Sequence, residues 1–126
     1  MWTEQQAYAF AHAWADAWNS HDLERILAHY TDEVVLTSPV VVQILGDASG
    51  SVRGKAALRA YFARGLAAYP ELRFDLVNVL WGVGSIVLYY ANQRGTMTAE
   101  VMELDEHGHV TRVLANYGEK RLPPPE

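Results

Sequence analysis

At Pro70 the hydrophobic period of this chain changes. Before it, apolar residues recur every three or four positions; after it, they alternate. The alternating half predicts strands over 72–81, 85–93, 96–105 and 109–117. They are joined by short turns at 82–84, 94–95 and 106–108, which makes an antiparallel meander. Helices followed by sheet is the order of an α+β fold, not of a parallel βαβ fold. A strongly curved sheet of this kind, with helices on its concave side, encloses a cone-shaped pocket.

The helical half begins with a predicted helix over 3–19, where Thr3 caps and Gln6 completes the box. Gln5, His12, Asp16 and Asn19 form its polar stripe, and Tyr8, Phe10, Trp14 and Trp18 lie on the wide remaining arc. Asp22 caps a second helix over 23–30. Residues 31–33 read as a turn and 34–36 as a first strand. Thr37, Ser38 and Pro39 interrupt it, and 40–45 is β-branched and strand-like. Residues 46–51 read as a loop, and a third helix runs over 55–69. The 126 residues make one domain, 1–122, with a proline-rich tail at 123–126.

The least expected residue is Glu100. Strand residues two apart share a face, so Glu100 sides with Met102 and Leu104 on the apolar face, opposite Glu103. A carboxylate there is costly unless paired, hydrogen-bonded or protonated. One reading is a buried acid satisfied by Arg112, Asn116 or a backbone group. The other is a polar working group in a cavity. Burial would raise its pKa towards neutrality, where a general base works best.

Other chemistries find no support in the pattern. The net charge is −5 and the eight arginines are scattered, which argues against nucleic acid and against an anionic membrane surface. There is no cysteine to serve as nucleophile or zinc ligand. His107 and His109 lack further convergent ligands, so no metal is expected. No glycine-rich phosphate loop and no Ser-His-Asp arrangement is readable, and no cofactor is expected. No apolar run is long enough to span a bilayer, and the first residues lack a signal-peptide pattern, so a cytoplasmic location is expected. Both faces of the predicted sheet are apolar, which suggests that the outer one meets a partner.

In order along the chain stand Trp18-Asn19-Ser20-His21-Asp22-Leu23, Tyr30-Thr31-Asp32-Glu33-Val34, Ser38-Pro39, Gly54, and Leu104-Asp105-Glu106-His107-Gly108. With this spacing the sequence resembles the nuclear transport factor 2-like superfamily, from about Ala7 to Tyr117. Its nearest branches are the SnoaL-like polyketide cyclases and the ketosteroid isomerases. The resemblance implies the cone-shaped fold and a homodimer through the outer sheet face. It also implies a pocket for an apolar, cyclic carbonyl compound, lined by Trp14, Ser38, Tyr61, Phe62, Met102, Val113, Ala115 and Tyr117. Against the isomerase pattern, Ser38 stands where the general-base Asp precedes Pro, and Trp14 and Phe62 stand where tyrosines would be. Only Glu100 keeps an acid, matching the protonated Asp. Serine without a partner is no base at neutral pH. The resemblance therefore implies Glu100 as sole acid/base, as in SnoaL-like cyclases. A non-catalytic ligand-binding or dimerisation module of the same fold is the alternative.

Overall fold

The structure, a computed structural model, describes residues 2–118 and 124–125. The elements in order are α1 (Glu4–Ser20), α2 (Leu23–Leu27), β1 (Tyr30–Thr37), α3 (Pro39–Leu45), β2 (Ser51–Arg53), α4 (Lys55–Ala68), β3 (Asp75–Trp81), β4 (Ser85–Ala91), β5 (Met97–Leu104) and β6 (Val110–Gly118). Residues 123 and 126 of the expected tail lie outside the described residues.

The six strands form one mixed sheet in the order β2-β1-β6-β5-β4-β3. The expected meander is its larger part, because β3 to β6 pair antiparallel in sequence order. The addition is β1, which lies parallel to β6, with β2 antiparallel on its free edge. Because the end strands β2 and β3 do not meet, the sheet is curled and open. Helices α1 and α4 pack on its concave side.

Five local expectations are corrected. Residues 40–45 are helical, despite three consecutive valines. Pro39 at the first helical position presets φ, and the Ser38 hydroxyl accepts from the Val40 N–H. Gly46, at φ 69°, closes the helix with its N–H on the Val42 carbonyl. These end signals outweigh a weak strand propensity over a helix of only about two turns. Residues 31–33 belong to β1, where the pairing with β6 slips between Tyr30 and Val35, so the turn-like Asp32 and Glu33 sit on an exposed irregularity. Correspondingly α2 is short, and Tyr30 begins a strand. Ser51 leaves the expected loop to start β2, where Gly50 passes so close that a Cβ would lie 3.3 Å from the Ser38 carbonyl. Finally, β3 starts only at Asp75. The residues before it are tied to α1, because Asn19 both donates to the Phe74 carbonyl (2.9 Å) and accepts from its N–H (2.7 Å). His21, whose left-handed backbone ends α1, bonds the Leu72 carbonyl through Nε2 at 2.8 Å.

The capping box at Thr3 and Gln6 forms as expected. The core lies between α1, α4 and the inner sheet face. Its deepest part is aromatic: Trp14 stacks on Phe74 at 5.6 Å, Phe74 meets Tyr90 at 4.4 Å, and Trp18 meets Phe62 edge-on at 4.7 Å. These rings fill the narrow end of the cone.

Candidate functional site

Strand β5 presents Thr98, Glu100 and Met102 inward, all of them buried. Glu100 is only 7% exposed, so the alternation placed its carboxyl on the correct face. Its cross-strand neighbours are Leu88 on β4 and Ala115 on β6, neither of which offers a polar side chain. Ala115 is the smaller of the two, and its side chain lines the open space above the sheet. That space is a cavity of about 110 Å³, opening to solvent at the wide end of the cone. The inner sheet face, α3 and α4 form its walls, and the β4–β5 turn closes one side.

The partner of Glu100 is Tyr90, whose hydroxyl donates to Glu100 Oε2. Tyr90 lies on β4 opposite Thr98, one diagonal step from Glu100. Packing against Phe74 and Trp14 fixes its ring. Among the described residues no group donates to the other oxygen, Oε1, and Glu100 is part of the cavity wall. Burial pushes the Glu100 pKa up to about 7, against a smaller lowering from the Tyr90 hydrogen bond. Burial, with the nearby Glu100 charge, also holds the Tyr90 phenol well above its usual range, so Tyr90 stays a donor at neutral pH.

Towards the mouth stands a second polar group. Ser38 is buried and caps α3, and its hydroxyl lies 3.5 Å from that of Tyr117. Tyr61, on α4, lines the same wall, and burial raises its pKa. The hydroxyls of Ser38, Tyr61 and Tyr117 thus line the same cavity as Glu100, and among the described residues that line it Glu100 is the one carboxylic acid.

Of the residues singled out from sequence, Glu100, Ser38, Tyr61, Phe62, Ala115 and Tyr117 line this cavity. Trp14, Met102 and Val113 do not. They are fully buried behind the wall, and the Trp14 indole donates to the Tyr30 hydroxyl at 3.0 Å. Trp14 was assigned by position on the helix, but the side chain one turn later, Trp18, reaches the cavity instead. Arg112 and Asn116 cannot satisfy Glu100, because both are exposed on the other side of β6. Sequence reasoning missed Tyr90, Thr98 and Gln93. Pairing the two strands across the Asn92–Thr96 turn would have found the first two, since that register sets Tyr90 opposite Thr98. The side-chain direction of Gln93, within the turn, had no sequence signal. Among the described residues no cluster of His, Asp and Glu could hold a metal ion. No helix among them is long and apolar enough to cross a membrane.

Residues 11–117 match the SnoaL-like domain family. A SnoaL-like protein of unknown function from Burkholderia thailandensis E264 is 39% identical, with a TM-score of 0.88 over 92% of this chain and 97% of that one. A protein from Kribbella flavida DSM 17836, provisionally described as a ketosteroid isomerase, shares 21% identity and a TM-score of 0.73, covering 97% of this chain and 84% of that one. The epoxide hydrolase/cyclase-like enzyme SalBIII, with a role in pyran ring formation in the polyether salinomycin, is 20% identical; its TM-score is 0.71 over 94% and 95% of the two chains. These last two share the fold with this chain. No curated protein matches it.

Proposed function

This chain belongs to the SnoaL-like domain family, and we propose that it is a small proton-transfer enzyme acting, without a cofactor, on an apolar cyclic carbonyl compound. The observation that carries this reading is the state of Glu100. One oxygen accepts from Tyr90, no described group donates to the other, the residue lines a mostly apolar cavity, and the pKa lies near 7. Such a group is available both as base and as acid at neutral pH.

In the proposed step, ionised Glu100 takes a proton from a carbon beside the substrate carbonyl. The C–H electrons form the enolate double bond, and the negative charge moves to the carbonyl oxygen. The hydroxyls of Tyr61, Ser38 and Tyr117 are the proposed donors to that oxygen, with Arg94 also in the cavity lining. Protonated Glu100 then returns its proton to another carbon, or to the oxygen. The direct test is exchange of the protons beside the carbonyl of cyclohexanone in D2O, followed by NMR. The protein should accelerate it, and folded Glu100→Gln should not. Equal acceleration by both proteins would end this reading.

One observation favours a second reading, a non-catalytic ligand-binding module: aromatic side chains of the protein itself occupy the narrow end of the cone. In that case Glu100→Gln leaves ligand affinity nearly unchanged and no exchange is seen with either protein.

We further propose that the outer sheet face pairs two copies of the chain. Leu80, Val87, Val101 and Leu114 align across four strands on that face, and Leu80 is 53% exposed. Leu80 and Leu114 are exposed and Val87 and Val101 half-buried, and an exposed apolar row of this kind favours an interface.

A further inference from the structure

Among the described residues, three buried side-chain atoms in this cavity's lining make no hydrogen bond: the donor Trp18 Nε1, on the α1 side, and Thr98 Oγ1 and Gln93 Oε1, beside the β4–β5 turn. Buried polar groups are nearly always paired, so each orphan calls for an explanation. Thr98 is 1% exposed and Gln93 comes from the neighbouring turn, and both residues line the cavity. The turn itself is ordered by its own bonds: Asn92 accepts from the N–H groups of Arg94 and Thr96 and donates to the Thr96 hydroxyl. Gln93 is therefore held at the wall by a rigid turn.

We propose that Thr98 and Gln93 form a second hydrogen-bonding subsite, which receives a hydroxyl or N–H group of a single-ring ligand. Gln93 Oε1 can only accept, and Thr98 Oγ1 can accept or donate, so a ligand donor satisfies the pair. The ligand is thus a ring carrying a carbonyl at one end and a donor at the other. Thr98 and Glu100 lie two residues apart on one face of β5, about 7 Å along the strand. That spacing accommodates one six-membered ring with a ring carbon facing Glu100 and its hydroxyl facing Thr98. Cavity size points the same way. At about 110 Å³ it is close to the ~150 Å³ that takes up benzene and well short of the roughly 300 Å³ at which drug-sized pockets begin. The aromatic filling of the cone leaves no depth for a fused multi-ring skeleton.

The proposal rests on the reading of the cavity as a ligand site but not on catalysis by Glu100. Its test is an NMR titration of the protein with three probes: cyclohexanone, the same ring with a hydroxyl opposite the carbonyl, and androstenedione. The hydroxylated ring should bind about five- to tenfold more tightly than cyclohexanone, the worth of one neutral hydrogen bond. Thr98→Val, nearly equal in shape, should remove that advantage and leave cyclohexanone affinity unchanged. Gln93→Leu, on the surface turn, should act likewise. Androstenedione should not bind in the cavity. The subsite is overturned if the hydroxyl brings no advantage, if neither variant changes it, if the steroid binds there, or if neither ring binds. Proton exchange in Glu100→Gln is read separately. Exchange that depends on Glu100, with no hydroxyl advantage in the wild type, would sink the subsite alone; a hydroxyl advantage lost in Thr98→Val, with equal exchange by wild type and Glu100→Gln, would sink only the acid/base role.

Discussion

The hydroxyl of Tyr90 donates to the carboxyl of Glu100, ten residues further along the chain and one strand across the sheet. The pair couples two opposite demands. Burial favours the neutral acid, whereas the Tyr90 hydrogen bond favours the carboxylate, and burial is the stronger. Tyr90→Phe removes the weaker effect. The Glu100 pKa should therefore rise above its value of about 7, as read by carboxyl-carbon NMR titration with Glu100→Gln assigning the signal. An unchanged or lower value would mean that Tyr90 does not act on the carboxylate.

Glu100 also links stability to pH. In the unfolded chain it releases its proton near 4.5, and in the folded protein near 7. Below 4.5 both states hold the proton and the group is neutral in the balance. Between these values the folded state alone keeps it, so stability falls as pH rises, and above 7 the loss is complete. The expected loss is on the order of 3 kcal/mol. Urea denaturation of the wild type and Glu100→Gln at pH 5 and pH 8 measures it. The variant should gain on the wild type at the higher pH, and parallel curves would contradict the buried, protonated carboxyl.

If the carboxylate is the base, the exchange rate should follow its ionisation. It should rise about tenfold per pH unit below 7 and level off above. A profile that is flat across neutrality would point to some other group.

Trp14 belongs to the core and not to the ligand site. Trp14→Phe should lower stability by about 1–3 kcal/mol through lost volume and the lost bond to Tyr30. Ring binding to the folded variant should remain the same. A selective loss of binding would return Trp14 to the cavity wall.

The apolar row on the outer face makes a prediction about assembly. Sedimentation at micromolar concentration should show a dimer, and Leu114→Arg should shift it to monomer. A wild-type monomer would remove the interface proposal.

Alternation alone made the Glu100 face legible in the sequence, because a strand permits only two faces and Met102 fixes which one is inside. The meander was legible for the same reason, with Gly84, Gly95 and Gly108 marking its turns. What misled was local propensity over short spans. Three valines read as strand, yet a serine cap, a proline and a left-handed glycine made seven residues helical. Trp14 and Trp18, four residues apart, share one side of α1, and only packing against Phe74 and Phe62 decides which reaches the cavity. Tyr90 could be paired with Glu100 only through the register of two strands, which no single-strand pattern contains.

The parallel seam between β1 and β6 joins residues 35–37 to residues 112–114. Nothing local can nucleate it, since each residue pairs with one 77 positions further on (35 with 112). During synthesis β1 and the helices around it must wait for the last strand to leave the ribosome before the sheet is complete. Until then the valines of β1 remain without their parallel partner. Closing this seam is thus expected to be the slow step of folding, and shortening the chain within β6 would cost far more than the loss of one strand.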